Sequence, residues 1–223
     1  MEYPPPPAPE SPPMIPWEDP SRSTFDGLLE TVKLLAMSPS EAFRRMPTGG
    51  GIGRPLFYAI VIGWVSIAVA VLWNVLLQGM WLPFMSSTEE LAGMGAAYGL
   101  SIGWGLLMVV LAPLFVIIGV FIAAALLHLM LLVVGGAGAG FEATVRVVCY
   151  AQTAQLAGIV PLCGGIVTLI WTVVLYVIGF ATAHRTSQGK ALVAVLLPLV
   201  LCCVFAVFIA VMTGAIAAIA GSQ

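Results

Sequence analysis

Charge is what this chain has least of. Only 8% of its 223 residues are Asp, Glu, Lys or Arg, while 61% are hydrophobic. Soluble domains carry about a quarter charged residues, so a surface this poor in charge excludes water as the main solvent and points to lipid. The net charge of −2 excludes a nucleic-acid partner. Catalytic patterns are missing too. There is no Ser/His/Asp or Cys/His arrangement, no HExxH and no CxxC, so no enzyme is expected. No cofactor and no metal is expected either. Cys149, Cys163, Cys202 and Cys203 lie in or beside apolar stretches without ligand spacing and read as small membrane-helix residues. No acid or base falls deep inside an apolar run, which argues against a proton-coupled carrier.

Basic residues are also absent from half of the connections between apolar runs. All eight Lys and Arg can be placed on one side of a membrane. Arg22, Lys33, Arg44, Arg45 and Arg54 precede the first run, Arg146 opens the third, and Arg185 and Lys190 lie between the fourth and fifth. A membrane helix needs about 20 apolar residues. The runs give five spans, at about 55–79, 101–134, 144–160, 164–183 and 191–213. The positive-inside rule then sets the N-terminus in the cytoplasm. The expected fold is an all-α polytopic integral membrane protein. The stretch 101–134 contains Pro113 without a polar loop, and irregular backbone is not tolerated in lipid. It is therefore expected to be one helix rather than two.

Ahead of the membrane domain (55–223) lie two further regions. Residues 1–23 hold nine prolines: Pro4 to Pro7, Pro9, Pro12, Pro13, Pro16 and Pro20 favour extended backbone and predict a disordered tail, which offers a protein partner a docking segment. No cleavable signal peptide is visible, so the run from Pro55 is expected to act as an uncleaved insertion signal. In residues 24–54, Phe25, Leu28, Leu29, Val32 and Leu35 recur at helical spacing, an amphipathic helix for the membrane interface. Ser38-Pro39-Ser40-Glu41 predicts a second helix start, with Ser38 as N-cap and Glu41 closing a capping box. The glycines from Gly49 to Gly53 lack the lysine and hydroxyl of a phosphate loop and read as a hinge.

Two sets of residues are candidates for contacts. Gln152 and Gln155 share a face of the third run, and Thr168, Thr172 and Tyr176 share a face of the fourth. They serve either interhelical hydrogen bonds or a polar ligand cavity. Arg44, Arg45, Arg54, Arg146, Arg185 and Lys190 form a candidate cytoplasmic basic face for a protein partner. Small residues every four positions, at Gly95, Gly99 and Gly103 and at Ala206, Ala210, Gly214 and Ala218, suit helix contacts within the chain or in a homo-oligomer.

Three segments carry a resemblance. Leu34–Pro47 reads LLAMSPSEAFRRMP, Thr144–Pro161 reads TVRVVCYAQTAQLAGIVP and Trp171–Pro198 reads WTVVLYVIGFATAHRTSQGKALVAVLLP. In this order they resemble the prokaryotic branch of the Yip family, relatives of the Ypt/Rab-interacting membrane proteins, over about residues 30–213. The resemblance implies a cytoplasmic N-terminal region and five spans. Eukaryotic members act in vesicle transport and contact Rab GTPases; the Asp-Leu-Tyr-Gly-Pro element they carry before span one is replaced here by Gly51-Ile52-Gly53-Arg54-Pro55. The expected role is a non-enzymatic membrane scaffold or trafficking protein, the alternative a small-molecule transporter or channel subunit. The expected location is the bacterial cytoplasmic membrane, or an endomembrane in a eukaryote.

Overall fold

The structure is a computed structural model that describes residues 14–85, 90–161 and 163–220. Every regular element among them is helical. A 3-10 turn, Pro16–Glu18, leads into α1 (Thr24–Met37) and α2 (Pro39–Arg45). The long helices α3 (Gly53–Met85) and α4 (Glu90–Val133) follow. Then come α5 (Gly140–Ala151), a 3-10 segment Gln152–Ile159, α6 (Gly164–Ala183) and α7 (Gln188–Ala220).

The α3 and α4 helices form an antiparallel hairpin in which small residues set the approach. A methyl group on Gly63 would lie 2.6 Å from Val116, and one on Gly105 would lie 2.8 Å from Val71. Close backbone approach of this kind is how helices associate where lipid removes the hydrophobic drive. Tyr98 closes the far end by donating to Val75 O at 2.7 Å. As expected, α4 is one helix with Pro113 inside it.

Among the described residues, four helices rather than five are long and apolar enough to cross a membrane: Gly53–Trp81, Ala97–Val133, Gly164–Ala183 and Gln188–Thr213. The expected span 144–160 is not a continuous α-helix. It divides at Gln152, where the backbone tightens to 3-10 geometry. One local cause is Thr153, whose hydroxyl donates to Tyr150 O at 2.8 Å and competes with the α-helical ladder. The segment nonetheless runs along α3 as far as Trp73. Glu142 bonds Gly51 N at one end, and Trp73 Nε1 donates to Ile159 O at the other.

Burial is concentrated at one end. The cap, formed by the 3-10 turn, α1 and α2, sits on the first turns of α3, on α5 and on α6, and the same core continues into the last turns of α4 and the first turns of α7. Glycine makes room here as well. A methyl on Gly179 would meet Val147 at 2.5 Å and the Phe43 ring at 3.0 Å, so α2, α5 and α6 converge on that position.

The tail expectation needs correction. Residues 1–13 lie outside the described residues, but residues 14–23 are not a disordered extension. Ile15, Pro16 and Trp17 are buried, because the cap supplies apolar walls and hydrogen-bond partners for their backbone. The Gly95, Gly99 and Gly103 stripe faces open space, and Ala206 and Ala210 are exposed. The side chains of Gly214 and Ala218 lie outside the description.

Candidate functional site

The cap is fastened to the membrane helices by a latch assembled from distant parts of the sequence. The chain crosses α1 where Gly27 leaves space; a methyl there would lie 2.9 Å from Pro16 O. Ile15 N donates to Arg45 O at 3.1 Å and Trp17 N donates to Thr31 Oγ1 at 2.9 Å. The Trp17 indole donates to Arg54 O at 2.6 Å, while Arg54 Nη1 returns a bond to Trp17 O at 3.1 Å. Its ring stacks on Phe57 and meets Tyr58 edge-on, with centroids 5.9 and 5.8 Å away.

This path delivers Glu18 into the bundle. Its carboxylate accepts from Arg146 Nη2 and from the Tyr150 hydroxyl. The Arg146 side chain is 1% exposed and that of Glu18 10%. Arg146 Nη1 also donates to Gly51 O, and Glu142 stands 3.7 Å away. Tyr58 lies against Tyr150 and its hydroxyl is 2.6 Å from Thr153 Oγ1. A buried charge of this kind is tolerated because it is paired and hydrogen-bonded.

The glycines at Gly50 and Gly51 have φ of 102° and 99°, a conformation other residues rarely adopt. Gly51 uses both backbone groups on α5, its N–H on Glu142 and its carbonyl on Arg146. The segment is a strap across α5 rather than a hinge.

A second cross-link ties α4, α5 and α6. Ala139 N donates to His184 Nδ1 at 3.1 Å, so that nitrogen carries no proton. The proton is on Nε2, which lies 3.0 Å from Thr144 Oγ1 and donates to it. Thr144 in turn meets His128 Nδ1 at 2.8 Å. Burial, followed by the neighbouring His128, pushes the His184 pKa down to about 4.

The expected basic face is divided. Arg146 is not on it, because Glu18 draws it into the core. Arg44 and Arg45 both pair with Glu41, at 2.6 and 2.8 Å. Those pairs replace the expected capping box: Ser38 is the N-cap of α2 with Pro39 next, but no side chain caps the helix. The hydrogen bonds from Arg45 and then Arg44 hold the Glu41 carboxyl below its usual range. Arg54 holds Trp17. Arg185 and Lys190 are exposed, and Lys190 reaches Gly135 O at 3.3 Å. Gln152 and Gln155 share one cavity with α3 and α4. Thr168, Thr172 and Tyr176 lie on α6 and do not line it. Thr168 Oγ1 is buried without a partner among the described residues, and Tyr176 stacks on Phe180 at 5.6 Å.

A sequence signal for the latch exists. Met14-Ile15-Pro16-Trp17 is an apolar cluster in an otherwise polar, proline-rich stretch, and Gly27 interrupts an amphipathic helix. A glycine inside a helix asks for a close neighbour.

The family model described as the Yip1 domain matches residues 32–210. The chain belongs to the Yip family. The matched region runs from α1 into α7 and so contains Arg146, Tyr150 and both histidines; Trp17 and Glu18 precede it. The latch therefore joins a segment outside the Yip1 domain to the domain's interior. No curated protein and no solved structure matches the chain.

Proposed function

We propose that this Yip-family chain is a non-enzymatic membrane scaffold or trafficking protein that presents its N-terminal tail and cap to a protein partner. One observation carries the reading. The chain enters the cap at buried Ile15 directly from exposed Met14, so the proline-rich residues 1–13 are attached at the surface of a rigidly fastened cap. Proline-rich segments suit aromatic grooves on partners because little ordering entropy is lost on docking. The exposed Arg44, Arg185 and Lys190 supply positive charge on the same side of the proposed topology. The trafficking association of the family agrees with this role, and no feature of the fold favours transport.

The topology that goes with it has five crossings and a cytoplasmic N-terminus. The support is that α5 and its 3-10 continuation run from the cap to the level of Trp73, the path a fifth crossing would take despite the broken helix. A bacterial cytoplasmic membrane and a prokaryotic branch of the family are part of the same reading, supported by the alanine- and glycine-rich composition.

Capture of partners with the intact protein and with a version lacking residues 1–13 tests the role of the tail; identical partner sets would overturn it. A reporter active only outside the cytoplasm, fused at Gly138 or Gln188, should be silent. Signal at either position would reverse the topology.

A further inference from the structure

Three adjoining cavities lie along one face of α3, of about 360, 410 and 270 Å³. Ala70 lines all three, so they form one groove from Gly63 to Gln78. That length is about 22 Å at the helical rise, more than half of the roughly 30 Å hydrocarbon core. One wall is α4, at Phe115 and Gly119; the other is the 3-10 segment, at Gly158. Exposed apolar side chains, Phe115, Trp104 and Val160, line it, so the groove opens sideways toward acyl chains.

Its lining is polar in an unusual way for such a place. Asn74 and Gln78 stand at the far mouth, joined by a 2.8 Å bond, and Ser101 donates to Gln78 at 3.1 Å. Half-buried Gln152 and exposed Gln155 line the near part of the groove, where their side-chain amides have no hydrogen-bond partner among the described residues. An unsatisfied amide facing lipid costs several kcal/mol, so the pair calls for a polar occupant. No charged side chain lines the groove.

We infer that this groove takes the polar region of one phospholipid, drawn in from the leaflet at the far end, with the amides of Gln152 and Gln155 donating to its phosphate and ester oxygens. The acyl chains remain outside against the apolar rim. Because the lining is uncharged, a zwitterionic and an anionic headgroup bind alike. The inference does not depend on the partner-recruiting role proposed above, and its test reads lipid alone.

The full-length protein is purified from nanodiscs of equal phosphatidylcholine and phosphatidylglycerol, and retained lipid is counted by native mass spectrometry. One tightly held lipid per chain is expected, of either headgroup. Ala70→Phe, which blocks the groove, and the double variant Gln152→Leu with Gln155→Leu should each lower retention at least tenfold. Gly119→Leu is a second blocking variant; a methyl there meets nothing within 4 Å, so folding should be unaffected, and it should lower retention similarly. Lys33→Gln, on the exposed face of α1 in the cap, should leave retention unchanged. Equal retention by the blocked variants and the parent would overturn the inference. So would loss only in Lys33→Gln, which would move the lipid to the cap surface, or displacement by water-soluble glycerophosphocholine, which would make the occupant a soluble ligand.

Discussion

At the cap end, Tyr58, Tyr150, Phe43 and Phe180 are buried and even Arg146 is out of reach of solvent, whereas from Leu199 to Thr213 every side chain of α7 is exposed. Composition does not separate the two regions, since both are rich in apolar residues. Partners do. In the cap, side chains from the 3-10 turn, α1, α2, α3, α5 and α6 meet one another, and Arg146, Tyr150, Tyr58 and Trp17 find hydrogen-bond partners inside the chain. From Leu199 to Thr213, the same kinds of side chain face the surrounding membrane. Lipid tails are as apolar as leucine, so burial against protein has no hydrophobic gain there. Specific packing and polar pairs hold the cap; the bilayer holds the rest.

That contrast can be broken most forcefully at the latch. Glu18→Ala or Arg146→Met alone leaves a buried charge without its partner and should cost about 3–5 kcal/mol, read as a large drop in thermal midpoint in detergent. Glu18→Leu with Arg146→Met should recover most of the loss, because two apolar residues leave no orphan charge. A smaller effect is expected at Gly179→Val. The added side chain meets Val147 and Phe43, and overpacking of this kind costs about 1–3 kcal/mol. An equivalent change on the open end, Phe208→Leu, should shift stability by less than about 0.5 kcal/mol.

The histidine link sharpens the comparison through pH. Folding lowers the His184 pKa from 6.5 to about 4, so the unfolded chain binds the extra proton between those values. Stability is therefore complete above about pH 6.5 and falls as the pH drops toward 4. His184→Gln should flatten that part of a melting-temperature profile and leave the neutral-pH value less affected. Glu41 and Asp19 act lower. Hydrogen bonds, from Arg45 and Arg44 for Glu41 and chiefly from Ser21 for Asp19, hold their carboxyls below 4.5 and 3.8. Their small contributions are present above those values and are lost as the pH falls through the folded-state range.

Much of the open end was legible in the sequence, because lipid-facing helices announce themselves by length and hydropathy. The α4 helix follows from Pro113 having no polar neighbours through which a loop could leave the membrane. The cap was harder to read. Ile15 and Trp17 sit in a proline-rich stretch, and what buries them comes from Thr31, Arg54 and Phe57. Arg146 reads as a surface base in the sequence because its partner Glu18 is 128 residues away, a separation that no local pattern reveals. Apolar content alone predicts a helix for the third span, and says nothing of the Thr153 hydroxyl that tightens the backbone. Gln152 and Gln155 line one cavity, and what they open onto depends on Gly63 and Gly119 of two other helices.

The pairing of Glu18 with Arg146 also imposes an order on synthesis. Glu18 leaves the ribosome long before Arg146 and Tyr150 exist, so for most of translation its carboxylate has no partner in the bundle. The first-made segment of the cap is thus among the last to be seated, after α3 and α4 have entered the membrane and α5 has been made. Until then the Trp17 and Glu18 segment is available to chaperones and proteases, and its closure marks a chain whose interior has been completed.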